Sequence, residues 1–301
     1  MENLICLDKN CSTTRRLLKS SPQEPLPGVP FEPSRKDNCG GLRLLGYTKE
    51  SPYDCPLISV VVLAFSDAER LEKTLRSVVD QSHDNIELIV ICRDSSEKAL
   101  QTIKNYNSRI DYWTTHSYNS VFDAMNKGID LATGDWINFL NAGDTYFEES
   151  TIENLLRSEF NRADFLFGHT YFHGGDYVGI MKAREFNILW KKMIFTRQSF
   201  FAKLSILKQT PFDTRYKYCA DYALIVDCYM KGLTFYNTNK IIAAFDMGII
   251  EPNCAGHTYE KWKIIKQYRS DFEFHQYYLL VFIKRLFQDC KKKLGISKKS
   301  L

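Results

Sequence analysis

Leu57-Ile58-Ser59-Val60-Val61-Val62-Leu63-Ala64-Phe65 decides the fold. Its β-branched, almost wholly apolar run reads as a strand buried on both faces, the kind that builds parallel sheets. Directly after it, Ser66 and Glu69 have the spacing of a capping box, and Leu71, Leu75, Val78 and Val79 recur at helical period. Strand is therefore followed by helix. Working toward the C-terminus, the alternation repeats: a buried strand over Ile86–Cys92, a helix over 96–106, a short strand at 110–113, a helix over 121–132 stopped by Gly134, and a strand over 136–140. Units of this length predict an α/β layered domain that takes its ligand at the carboxyl ends of the strands.

Beyond Asp144 the pattern becomes mixed. A helix is expected near 148–157, a strand near 164–167, an aromatic-rich stretch over 171–201, a helix over 220–231, and two strands at 234–236 and 241–245. On the N-terminal side, residues 1–54 show no sustained period, carry charges of both signs and crowd five prolines between Pro22 and Pro33. They read as an irregular arm rather than a folded unit. The expected organisation is an arm at 1–54, one α/β domain at 55–250, and a helical, basic C-terminal tail at 251–301.

The 301 residues are 44% hydrophobic and 14% aromatic, enough for a substantial core. A formal net charge of +4 gives no electrostatic case for a nucleic-acid partner. The basic residues concentrate in the tail, where Lys284 to Leu301 hold seven Lys or Arg against the single acid Asp289. Nine cysteines, scattered and without a C-x-x-C pair, suit a reducing compartment. The first thirty residues lack the basic start and apolar run of a secretory signal, and no stretch approaches the roughly 18 apolar residues that span a bilayer. The expected location is the cytoplasm.

Chemistry concentrates at Trp136-Ile137-Asn138-Phe139-Leu140-Asn141-Ala142-Gly143-Asp144, where a buried strand runs into a small-residue turn ending in a carboxylate. By itself, Asn-Ala-Gly-Asp is equally a plain turn. A second cluster, Phe212-Asp213-Thr214-Arg215-Tyr216 followed by Cys219-Ala220-Asp221-Tyr222, places Asp221 where it serves either as a functional acid or as the first-turn acid of a helix.

The order strand, helix, strand, then Tyr112-Trp113, Phe122-Asp123-Ala124-Met125-Asn126-Lys127-Gly128-Ile129, Ala132-Thr133-Gly134-Asp135-Trp136 and Phe139-Leu140-Asn141-Ala142-Gly143-Asp144 closely resembles family 2 glycosyltransferases. Gly40-Gly41-Leu42-Arg43 is similar to the lead-in of O-antigen, capsule and exopolysaccharide enzymes of that group. The resemblance implies a GT-A fold: a Rossmann-like nucleotide-binding half with a mixed central sheet flanked by helices. It also implies inverting sugar transfer from a nucleotide-diphosphate donor to a saccharide, commonly lipid-linked, in surface polysaccharide assembly.

In such enzymes the acidic turn holds Mg²⁺ or Mn²⁺ against the donor diphosphate, because a hard cation on carboxylate oxygens offsets the charge developing on the leaving group. The resemblance makes Asp144 the metal ligand, with Asn141 in place of the usual first acid, and makes Asp221 the base that takes the acceptor proton, a step worth about 10²–10⁴ in rate. Arg197 stands where related enzymes carry His before Gln, and its guanidinium suits a phosphate or a sugar carboxylate.

Two positions depart from the pattern. Cys92 occupies the place of the Asp that reads the nucleotide base, with Asp94 two residues on as its substitute, and Tyr118-Asn119-Ser120 replaces a second donor-side acid. Asp94, Asp123 and Asn141 are the remaining donor-side candidates. A nicotinamide-binding protein is disfavoured, because Ser66-Asp67-Ala68-Glu69 lacks the glycine fingerprint after the first strand. A glycosyltransferase-like binding or scaffold protein with reduced catalysis stands as the competing reading. Finally, Leu279, Leu280, Phe282, Ile283, Leu286 and Phe287 beside Lys284 and Lys291 form a basic amphipathic pattern suited to an anionic inner-leaflet surface.

Overall fold

The computed structural model describes residues 4–19, 39–65, 67–93, 97–115, 117–157, 163–174, 178–247 and 255–293. The strands are β1 (Leu18–Lys19), β2 (Cys39–Gly40), β3 (Tyr47–Thr48), β4 (Ile58–Ala64), β5 (Ile86–Cys92), β6 (Tyr112–Thr115), β7 (Trp136–Asn141), β8 (Thr145–Tyr146), β9 (Phe165–His173), β10 (Gly179–Met181), β11 (Phe200–Lys203) and β12 (Phe235–Asp246). The helices are α1 (Ala68–Val79), α2 (Glu97–Asn105), α3 (Val121–Leu131), α4 (Thr151–Leu156), α5 (Leu204–Gln209), α6 (Ala220–Met230), α7 (Ala255–Ile265) and α8 (Phe272–Lys293).

A single ten-stranded sheet runs β2-β6-β5-β4-β7-β11-β9-β12-β8, with β10 beside β9. β6, β5, β4 and β7 run parallel to one another, whereas β2 is antiparallel to β6, and β11 is antiparallel to both β7 and β9. The sheet is thus mixed, with a Rossmann-like parallel half. Every residue of β4 and β5 is buried. Val61, Leu63, Ile89 and Ile91 face a core shared with α3, α6, α7 and α8. The alternate residues Val60, Val62, Leu88 and Val90 face α1 and α2. Two-sided burial is what the continuous apolar runs require. α3 lies close on β4: a Cβ at Gly128 would meet Val61 Cγ1 at 2.5 Å, so the Gly in that helix allows the approach.

Several expectations need correction. The N-cap of α1 is Asp67, whose carboxylate accepts the Arg70 N–H, one residue beyond the expected Ser66; either residue type caps well, and only the backbone path chooses. The two strands expected at 234–236 and 241–245 form one strand, β12, with register shifts near Asn239, which takes a positive φ of 53°.

The proline-rich stretch of the expected arm lies outside the described residues, and the described parts, 4–19 and 39–54, are docked rather than loose. Ser12 Oγ donates to Val78 O at 2.9 Å, and Thr13 Oγ1 to Arg109 O at 2.6 Å. Arg43 forms a fully buried ion pair with Glu87, and Lys49 one with Asp111 at 2.6 Å. Burial pushes the Glu87 carboxyl up, but Arg43, with hydrogen bonds from Ser59 and Thr133, outweighs it and holds the group below the usual carboxylate range. At Asp111 burial wins, and the carboxyl is raised despite Lys49.

At the other end, Ile264, Ile265, Phe274 and Tyr278 anchor α7 and α8 in the main core. Among the described residues, no helix is long and apolar enough to cross a membrane.

Candidate functional site

β4 and β7 are adjacent, and the chain leaves β4 toward β5 on one side while β7 opens the other half of the sheet. Their carboxyl ends therefore form the switch point where α/β sheets open a crevice. The turn after β7 lies there. Ala142 N–H donates to Leu63 O of β4 at 3.0 Å, which ties the turn to its neighbour strand. Gly143 has φ +107°, a conformation that disfavours any side chain, and its N–H donates to Thr74 Oγ1 at 2.9 Å. The same hydroxyl donates to Asp144 O at 2.7 Å, so one residue of α1 holds both ends of the bend.

Asp144 turns back into this frame and is 3% exposed. Its Oδ2 accepts the Asn141 backbone N–H at 3.0 Å, Asn141 Nδ2 at 3.0 Å and Gln198 Nε2 at 2.8 Å. Burial raises its pKa; the bonds from Gln198 and Asn141 and the charge of Arg197 pull the other way without cancelling the rise. Arg197 reaches Asn141 Oδ1 with Nη2 at 3.3 Å and lies over the Phe122 ring, 5.9 Å from its centre.

A cleft of about 340 Å³ opens over the turn, lined among others by Phe65, Arg70, Asn141, Asp144, Arg197, Lys217, Tyr218, Asp246 and His257. Thus Asn141, Asp144 and Arg197 come together from the motif residues. Arg70, Lys217, Tyr218, Asp246 and His257 join them without having been anticipated, as does Gln198 behind Asp144. Arg70 and Asp246 are bonded at 3.0 Å across most of the chain, a pairing that no local pattern carries. Gln198 was in view beside Arg197, and only the tertiary contact shows that it holds the acid.

The lip of the cleft is set by α7. Glu260 accepts the backbone N–H groups of Lys217, Tyr218 and Cys219 at 2.9, 2.9 and 3.0 Å, and His257 stacks on Tyr218 with ring centres 4.5 Å apart. Asp221 follows in the first turn of α6, partly buried, with Oδ1 accepting the Tyr222 N–H at 2.8 Å. It stands three residues beyond Tyr218 and is not among the residues lining the cleft.

Other expected residues lie apart. Cys92 is fully buried at the end of β5, and Asp123 is in the first turn of α3; neither lines the cleft. Asp94 lies outside the described residues. Tyr118 is 8% exposed and packed in the core, with the Arg93 guanidinium 5.9 Å from its ring centre, so its face is not open for base stacking. Trp190 is covered by Arg269 at 4.1 Å and Lys191 at 4.5 Å from the ring centre and presents no open face to a sugar.

Among the described residues, no group of three or more His, Cys, Asp or Glu could cage a metal ion. The cleft supplies Asp144 as one carboxylate at the turn. That set does not fit an all-protein cage, but it fits a divalent ion that takes its remaining ligands from phosphates and water, as Mg²⁺ commonly does.

This architecture, a helix-flanked mixed sheet with an acid-bearing turn at its switch point, is the GT-A fold of nucleotide-sugar transferases. Residues 59–216, just over half of the chain, match glycosyl transferase family 2, and the chain belongs to that family of transferases. It is 25% identical over 184 residues to a PGL/p-HBAD biosynthesis glycosyltransferase of Mycobacterium tuberculosis, covering 58% of this chain and 70% of that one. Among solved structures it superposes on S. aureus TarS 1–349 in complex with UDP, with a TM-score of 0.57 and 16% identity over 78% of this chain and 73% of that one. It also superposes on the mannosyltransferase PcManGT from Pyrobaculum calidifontis in complex with GDP-Man and Mn²⁺, with a TM-score of 0.51 and 15% identity over 72% and 64% of the two chains. At those identities, the likeness to the two structures is one of fold.

Proposed function

We propose that the chain is an inverting glycosyltransferase that binds a nucleotide-diphosphate sugar in the cleft over Asn141–Asp144 and transfers the sugar to a saccharide acceptor, lipid-linked, in surface polysaccharide assembly of the O-antigen or capsule kind. The carrying observation is Asp144: a carboxylate kept at the switch point by three N–H donors, in a cleft that also holds Arg197 and Lys217. A buried carboxylate raised by its surroundings is costly, and such groups cluster at functional sites. The nucleotides bound by the two structural neighbours support the donor class.

Asp144 would hold Mg²⁺ or Mn²⁺, which when bound offsets the charge of the departing diphosphate. The chain's own groups do the rest. Arg197 orients Asn141 and adds positive charge beside the turn. Asp221 takes the proton of the acceptor hydroxyl as that oxygen attacks the anomeric carbon; the sugar–phosphate bond breaks, and the nucleoside diphosphate leaves with the bonding pair. Glu260 fixes the Lys217–Cys219 segment that leads into Asp221. Residues 55–250 form the catalytic domain in this reading, and the exposed Leu279, Leu280, Ile283 and Leu286 of α8 meet an anionic membrane surface at the cytoplasmic face.

Calorimetry against UDP, GDP, CDP and dTDP, each with and without Mn²⁺, tests the donor site. Metal-dependent binding of one nucleotide, lost in Asp144→Ala, is expected. Failure of all four to bind would move the scaffold reading to the front.

A further inference from the structure

We propose that Arg70 is the residue that grips the donor diphosphate, with Asp246 as the counter-ion that aims it; this rests on the donor-site reading above. Arg70 lies in the first turn of α1, where a cation works against the helix dipole. Its guanidinium is nevertheless drawn into the cleft wall, 20% exposed, with Nη2 on Asp246 Oδ2 at 3.0 Å and Nε 3.5 Å from Asp67 Oδ2. The remaining nitrogen, Nη1, is buried and has no acceptor among the described residues.

A buried guanidinium N–H without an acceptor is rare, because desolvating it costs more than a surface position would. The stem lies along the acid-bearing turn: a Cβ at Gly143 would be 3.6 to 3.7 Å from Arg70 Cδ, Cβ and Cγ, in plain van der Waals contact. The fork thus stands beside the turn that holds Asp144, and it lines the same cleft.

A guanidinium with one edge fixed by a carboxylate and another donor left over suits an oxyanion with several acceptor oxygens, and phosphate is the best match to its planar geometry. Asp246 sets the fork's orientation in advance, so less freedom is lost on binding. Arg197 gives Nη2 to Asn141 at 3.3 Å and Lys217 lies over the Tyr218 ring at 5.3 Å; among the described cations of the cleft, Arg70 alone has a buried N–H without an acceptor.

The test compares a nucleoside diphosphate with its own nucleoside. The binder found among UDP, GDP, CDP and dTDP is titrated with its parent nucleoside into wild type, Arg70→Met, Arg70→Lys, Asp246→Asn and the exposed same-helix control Arg76→Ala, with Mn²⁺ present and absent, and thermal unfolding is recorded for each. Arg70→Met is expected to weaken the diphosphate about 10- to 100-fold, the scale of a lost hydrogen bond to a charged group, and to leave the nucleoside unchanged. Arg70→Lys, which keeps the charge without the fork, should recover part of the loss, Asp246→Asn should show a smaller loss, and Arg76→Ala none.

Equal weakening of nucleoside and diphosphate would make Arg70 a structural residue and overturn the proposal. So would unchanged diphosphate affinity in Arg70→Met. If Arg70→Met unfolds early, the comparison passes to Arg70→Lys, where wild-type diphosphate affinity overturns it. Wild-type protein that binds none of the four nucleotides would reject the donor site itself, and the proposal with it.

Discussion

At the level of single residues, the role proposed for Asp144 sets stability against function. Its folded-state pKa is raised, so the folded chain holds the proton more tightly than the unfolded one, and stability falls as the pH rises from the ordinary Asp value up through the folded value. Asp144→Asn removes the charge. The variant should therefore melt at or above the wild-type temperature at pH 7, with the difference shrinking toward pH 4, while metal-dependent nucleotide binding disappears. Melting curves across that range beside calorimetry check both halves; an Asn variant that still binds would refute the assignment of Asp144 as the donor-site acid.

Glu87 shows the opposite sign. Its carboxyl is held low, so its contribution is present above the ordinary Glu value and is lost as the pH falls through the lower folded value. Arg43→Met would leave Glu87 buried without its partner, and a loss of about 3–5 kcal/mol in urea unfolding at pH 7 is expected. Adding Glu87→Gln should restore much of that loss.

Among the elements, α7 governs the lip of the cleft although it lies far along the chain from the acid turn. One carboxylate, Glu260, accepts from three successive backbone N–H groups just before α6. Glu260→Ala should cost about 1–3 kcal/mol of stability for the N–H groups left without an acceptor. It should also lower the transfer rate by about tenfold, on the scale on which misplaced groups impair catalysis. Glu260→Gln retains an acceptor and should recover most of the stability. Transfer rates measured beside melting temperatures decide whether the helix positions Asp221 or merely supports the fold.

For the molecule as a whole, α8 divides into two faces. Phe274 and Tyr278 are buried, and Tyr278 Oη donates to Trp190 O at 2.7 Å, so this face fastens the helix to the catalytic body. Leu279, Leu280, Ile283 and Leu286 are exposed at 60%, 61%, 41% and 43% and lie away from that packed face. If the stripe meets a membrane, Leu280→Glu with Ile283→Glu should abolish co-sedimentation with vesicles rich in anionic lipid and leave nucleotide affinity unchanged. Binding that survives this pair of substitutions would remove α8 as the contact. The substitutions spare the buried face, whereas removal of the helix would also take away Tyr278.

What could be read from the sequence was whatever depends on neighbours along the chain. Two-sided burial leaves a continuous β-branched run, as in β4 and β5, and a strand that ends in Asn-Ala-Gly-Asp announces a turn with an acid at its tip. The parallel half of the sheet and the place of Asn141 and Asp144 were legible for that reason. Tertiary structure alone decided which residues from elsewhere complete the cleft. Arg70 with Asp246, Gln198 behind Asp144, and Glu260 under Lys217 to Cys219 are hydrogen-bonded partners brought together by the closing of the sheet and its helices. It also decided that the N-terminal segment is docked, because Arg43 and Lys49 are ordinary surface residues until Glu87 and Asp111 are found buried beside them. Charge pairing acts through space and leaves no period along the chain.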